Sequence, residues 1–281
     1  MPVRLGAPVW YSSDDPEEMA RAHVALGYGA AYCPDLSLDD LPRVRAVREA
    51  FEREGVAIAE VGAWCNMMAP GESERKRNLE YVCQRMALAD EVGALCCVNI
   101  SGSFNPEQWD GPHPENTSQQ GFDLTVQNVR HVLDTVRPRR AKFALEMMPW
   151  GLPDSPDSFL ALLRAVDRPA FAVHLDPVNL VHSPPRYFAN GALIQECISK
   201  LGPWIVSAHG KDILLSNRLT THLDEVRPGL GNLDYVTYIR GLDGLPADVP
   251  LMLEHLSSPE EYAEATAYVR SMAERAGVTF V

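Results

Sequence analysis

The sequence predicts an α/β protein built as a single (β/α)8 barrel spanning residues 1–281. Three observations carry that expectation. Short β-rich runs alternate with amphipathic stretches along the whole length. No linker or shift in composition divides the chain. Its 281 residues suit a barrel, a fold that runs to about 250 residues as one domain. A doubly wound open sheet is the competing arrangement. No GxGxxG follows a strand, however, and no GxxxxGKS or GxxxxGKT occurs, so a nucleotide-binding version has little support.

Taken in order, residues 3–11 form the first strand candidate. A helix follows over 16–26, opened by Ser13, Asp14 and Asp15 with Pro16 in its first turn, and closed by Gly27. A short strand at 30–33 leads to a helix ending at Gly55. The third strand, 56–64, carries Trp64 and Asn66 near its carboxyl end. Residues 73–93 read as a long helix with Leu79, Val82, Met86 and Ala89 on one face. The fourth strand, 94–100, ends in Asn99 and Ser101. The connection after it, SGSFNPEQWDGPHPENTSQQ, is long for a compact domain and holds Phe104, Trp109 and His113, which suggests a lid. A helix over 121–136 precedes the fifth strand, AKFALEMMPW, and a helix over 154–166 precedes the sixth, which opens FAVHLDPVNL. A second elaborated loop, VHSPPRYFANG, leads into a helix reaching about Lys200. Strand seven is IVSAHGK. A loop with Arg227, Pro228, Gly229 and Gly231 and a short helix near 233–239 precede strand eight, PLMLEHL. A helix over 258–276 closes the pattern.

Composition narrows the function classes. The formal net charge of -13, from 25 basic and 38 acidic residues, disfavours a nucleic-acid partner, which needs a basic face. The longest apolar runs fall far short of a membrane span. Six cysteines show no paired zinc-ligand spacing, and Cys96 and Cys97 lie inside an apolar run. With no apolar signal-like run at the amino terminus, reduced thiols and a cytoplasmic location are the expectation.

Four strand ends attract attention. Ligands of parallel α/β folds bind beyond the carboxyl ends of the strands, and there the chain places Glu146, Asp176, His209 and Glu254. Alternation puts Ala144, His174, Ser207 and Met252 one layer lower on the same inward face. His174 needs a polar partner there and reads first as a satisfied core histidine. His255 alternates away from the barrel axis. Asp176 alone reads as a turn cap before Pro177, and each Glu alone as a solvated loop residue. Together, three buried carboxylates would repel and be driven toward protonation. One divalent cation resolves that conflict. The oxygen and imidazole donors suit Mn2+ foremost, with Co2+, Mg2+ or Zn2+ as alternatives.

The segments ALEMMPW, HLDPVNL, SAHGKD, RPGLGNLDY and LMLEHLSSPEEY resemble, in order and spacing, those of the xylose-isomerase-like TIM-barrel superfamily of sugar isomerases and epimerases, which includes an AP-endonuclease branch. The resemblance implies Glu146, Asp176, His209 and Glu254 as metal ligands. It also implies Glu146 and Glu254 as acid/base groups on opposite sides of a bound sugar. Family epimerases often carry a second histidine three residues after the strand-six Asp. Here Asn179 stands in that position and can bind a hydroxyl but not take a proton. The endonuclease branch needs further metal-binding histidines and a basic groove, neither of which can be placed here.

The implied activity is proton transfer through an enediolate of a small carbohydrate or keto-sugar, giving isomerisation or epimerisation. Lys211 and His182 near the same rim, with Asn179, Trp109 and His113, are expected to bind substrate. Lys211 could equally pair with Asp212 or another surface acid. An alternative outcome of the same enolate is elimination from 3-keto glycosides, with Phe104–Trp109 and Tyr187–Phe188 widening the mouth for an aglycone. A non-catalytic sugar-binding barrel is the third reading, and it would be expected to lose one of the four stations. No Arg/Lys cluster marks a phosphate site, so an unphosphorylated substrate is preferred. A homo-oligomer and a partner subunit both remain open.

Overall fold

A computed structural model describes residues 3–281. Eight strands close a barrel: β1 (Arg4–Gly6), β2 (Ala30–Tyr32), β3 (Ala57–Gly62), β4 (Cys96–Asn99), β5 (Lys142–Glu146), β6 (Phe171–Leu175), β7 (Ile205–Gly210) and β10 (Pro250–Leu253). Every barrel pairing is parallel, and β10 returns to β1 to complete the circle. Between β7 and β10 the chain makes an antiparallel hairpin of β8 (Asp212–Leu215) and β9 (Leu223–Val226), which pairs only with itself. The sequence reading took this region as loop. Its short strands are half exposed and lack the continuous apolar run that marks a barrel strand.

The surrounding helices begin where their capping residues dictate. Asp15 accepts from Glu17 and Glu18 N–H groups to open α1 (Pro16–Ala25). Ser118 starts the helix Gln119–Val136, Ser155 and Ser158 form a capping box for the helix Pro156–Val166, and Ser258 starts the last helix, Pro259–Ala276. The long helix Glu72–Val92 ends at Gly93 in the left-handed conformation.

Most of the core lies between strands and helices. Inside the barrel the packing is done by small residues: Cys96, Val98, Ala144 and Ala172 in one group, and Ala30, Ala59 and Met252 in another. Gly6 is part of that fit, because a Cβ there would lie 2.6 Å from the Met252 sulfur and from the Ala30 carbonyl. Toward the carboxyl ends the inward positions turn polar, with Glu60, His174, Ser207 and His209 all buried. Two register shifts accompany the change, one opposite Ala31/Tyr32 on β2 and β3 and one at Val173/His174 on β6 and β7.

Candidate metal centre

The four predicted stations meet at the carboxyl ends of β5, β6, β7 and β10. One donor atom from each of Glu146, Asp176, His209 and Glu254 lies within 4.8 Å of the others. His209 Nδ1 faces Glu254 Oε1 at 2.8 Å, Glu146 Oε1 at 3.4 Å and Asp176 Oδ2 at 3.7 Å. Asp176 divides its two oxygens. Oδ1 accepts the Val178 and Asn179 N–H groups and shapes the turn after β6, while Oδ2 points into the cluster. One oxygen of this residue thus caps the turn while the other joins the cluster. Asn179 donates to Glu146 Oε1 at 2.9 Å and to the Met147 carbonyl at 3.0 Å, so it holds that carboxylate in place.

Lys211 is buried among the acids rather than paired at the surface. Its Nζ sits 2.7 Å from Asp176 Oδ2, 2.8 Å from Glu254 Oε1, and 3.6 Å from Glu146 and from Glu225 of the hairpin. Asp212 instead ties down the loop after β9, accepting N–H groups from Gly229, Gly231 and Leu233. Burial alone would raise the Asp176 carboxyl, but the Lys211 ammonium and then His209 hold it well below the usual carboxylate range. Glu254 is lowered against the same burial penalty, by His209 and then Lys211. Conversely, burial opposes charge on Lys211 and His209. The carboxylates override it, Asp176 foremost for Lys211 and Glu254 for His209, and raise both groups well above their ordinary values.

Donor chemistry fits a divalent cation. Asp176 Oδ2 and Glu254 Oε1 are buried without a geometric hydrogen-bond partner and meet only the charged Lys211 ammonium and the His209 ring. Two such oxygens beside a third carboxylate and an imidazole nitrogen are the mixed hard set that Mg2+, Mn2+ or Co2+ accepts. No thiolate joins them, and the six cysteines are free thiols.

Beneath this group lies a residue the sequence reading missed. Glu60 of β3 is buried, with Oε2 at 2.7 Å from His174 Nε2 and 3.0 Å from Ser207 Oγ, and Oε1 at 3.3 Å from His209 Nε2. It is the polar partner His174 requires. Burial opposes its charge, yet the His174 and His209 imidazoles hold its carboxyl well below the usual range.

Above the cluster a cavity of about 420 Å3 opens to solvent, walled by Tyr32, Trp64, Ile100, Trp109 and Met148, with Asn179 and Lys211 on its polar side. Glu225 and His255 also line it. His255 does not face away as alternation suggested. Its backbone is left-handed (φ 59°), and its ring reaches Glu225 at 2.9 Å. Strict alternation ends with the strand at Leu253. His113 and His182 are not brought to the cavity. His113 caps the short turn Pro114–Thr117 and packs on Phe104, while His182 is exposed on the loop after β6. Tyr187 is buried, and Phe188 lines a different depression, so neither widens the mouth.

The long connection after β4 is an ordered structure. Buried Asn116 accepts from Phe104 N–H and donates to the Gly111 and Trp150 carbonyls, and Asn66 Oδ1 accepts from Ser103 and Met68. Gly102 (φ 97°) permits the close approach, as a Cβ there would lie 2.2 Å from Asn66 Oδ1.

A family sequence profile described as xylose isomerase-like TIM barrel matches residues 21–272. The chain belongs to that family. Xylose isomerase-like structures share the fold at low identity. A xylose isomerase-like TIM barrel protein from Mycobacterium smegmatis, in complex with magnesium, is 21% identical with a TM-score of 0.67, covering 98% of this chain and 97% of its own. The D-psicose 3-epimerase of Clostridium cellulolyticum H10, solved with D-tagatose, is 13% identical with a TM-score of 0.69, covering 99% and 100%. The probable 3-DHS dehydratase AsbF of Bacillus anthracis is 16% identical with a TM-score of 0.71, covering 98% and 100%. Curated protein sequences give no match.

Proposed function

We propose that this barrel is a divalent-metal-dependent isomerase or epimerase that moves a proton beside the carbonyl of a keto-sugar through an enediolate. The observation that carries the reading is the convergence of Glu146, Asp176, His209 and Glu254 on one point at the floor of an open cavity. These four residues would hold the cation, Mn2+ being preferred for the mixed donors. When bound, it would polarise a substrate carbonyl and make the neighbouring C–H more acidic. Glu146 and Glu254 come from opposite sides of the cluster, on β5 and after β10, which supports one removing a proton and the other returning it. Asn179 orients Glu146. Lys211 neutralises Asp176 and Glu254 and offers a donor to a substrate oxygen. Trp64 and Trp109 supply flat apolar faces at the mouth, with Ile100 and Met148 beside them.

Those aromatic walls favour one second reading, a lyase acting on 3-keto glycosides, in which the same proton removal expels a leaving group β to the carbonyl. The presence of a dehydratase among the structural neighbours is in keeping with it. A non-catalytic sugar-binding barrel is disfavoured because all four stations are retained.

Glu146→Gln and Glu254→Gln test the proposal. Each keeps an oxygen donor but replaces a proton-accepting carboxylate with an amide. Mn2+ binding should survive at least in part while turnover drops by roughly 10²-fold or more. A substrate deuterated beside its carbonyl should lose or move that label during wild-type turnover. Turnover that never breaks the C–H bond would overturn the reading.

A further inference from the structure

We propose that Glu60 is a positioning residue that fixes the tautomer and tilt of the His209 ring, so that Nδ1 is the nitrogen offered to the metal donors. The inference rests on the metal reading above and assigns a task to the buried acid beneath it. A carboxylate only accepts hydrogen bonds, and a neutral imidazole has one N–H and one lone pair. His209 Nε2 lies 3.3 Å from Glu60 Oε1 and so keeps its proton whether the ring is neutral or charged, which leaves Nδ1, among Glu146, Asp176 and Glu254, as the nitrogen that gives up its proton to a cation. The other Glu60 oxygen is pinned independently by His174 and Ser207. His174 also braces His209 directly, the two rings meeting edge-on with centroids 4.0 Å apart. All four side chains are buried, so no solvent competes for these bonds. The arrangement is a carboxylate–histidine pair behind a ligand nitrogen, a device that aligns a ligand and raises its basicity.

The decisive experiment has two arms. In metal-free wild type, proton–nitrogen correlation spectra should show His209 Nε2 protonated; a bare Nε2 overturns the inference whatever the metal does. Calorimetric titration of metal-stripped wild type, Glu60→Gln and Ser207→Ala with Mn2+ is the second arm, with melting temperatures recorded for each. Glu60→Gln should bind Mn2+ roughly 10- to 100-fold more weakly. Ser207→Ala touches the same carboxylate without touching His209, and should keep wild-type affinity even if its melting temperature falls. Equal affinities for wild type and Glu60→Gln overturn the positioning role while leaving the metal site intact. A second Mn2+ on Glu60, His174 and His209 overturns it too, since Nε2 would then bear a metal instead of a proton. A wild type that binds no Mn2+ removes the metal reading itself.

Discussion

Lys211 shows how one side chain can decide the electrostatics of a site. A buried ammonium between Asp176 and Glu254 offsets charge that burial alone would suppress. Lys211→Met should therefore lower metal-free stability by about 3–5 kcal/mol, the usual result of stranding one side of a buried pair. Added Mn2+ should recover more stability in this variant than in wild type. Denaturant melts with and without Mn2+ measure both, and unchanged metal-free stability would remove Lys211 from the charge balance. His23 offers a separate test. It is buried on α1, donates through Nδ1 to the Met19 carbonyl at 2.9 Å and packs against Phe51, and burial lowers its pKa. The unfolded chain takes up that proton more readily than the folded one. Stability from this group is thus complete above about pH 6.5 and is lost as pH falls through and below that value. His23→Phe should flatten that part of the melting-temperature profile, and an unaltered slope would assign the acid sensitivity elsewhere. At the same scale lies the limit of sequence reading. Asp176 and His209 were legible because each ends a buried run. Glu60 was not, although a lone acid inside AIAEVG was the available signal. A strand's alternation does not announce a register shift, and the shift beside Glu60 comes from pairing with β2.

Among elements, the long connection after β4 is the one whose order depends most on distant partners. Its aromatics suggest a lid rather than disorder, and the bonds that order it run to Asn66 and Trp150, far off in sequence. Asn116 satisfies several backbone groups at once, so Asn116→Ala should cost about 1–3 kcal/mol per buried group left unpaired. Trp109 is different. It is 40% exposed and faces the cavity, so Trp109→Ala should raise KM with little change in melting temperature. A large stability loss with unchanged kinetics would make it a packing residue. The helices were read to within a few residues because capping side chains and glycines punctuate them. The loops carrying His113 and His182 were not, since loop geometry depends on distant partners.

For the molecule as a whole, the proposed cation site would link metal binding to folding. A ligand that binds only the folded state adds about 2.7 kcal/mol at a concentration one hundred times its dissociation constant. Mn2+ should accordingly raise the melting temperature of the wild type, and His209→Ala should lose most of that rise. His255→Ala should keep it, because His255 lies outside the donor set. A chelated protein that melts and turns over like the loaded one would contradict the site. The barrel itself was legible because strand and helix periods alternate eight times. What the count could not show is the hairpin of β8 and β9, which closes one side of the cavity with Glu225 while taking no place in the barrel. Barrel strands share their registers around a closed ring, so a change in one is felt by its neighbours. The hairpin is under no such obligation. It is an exchangeable part, and variation in its length or charge can alter what the cavity admits while the four donors below keep their places.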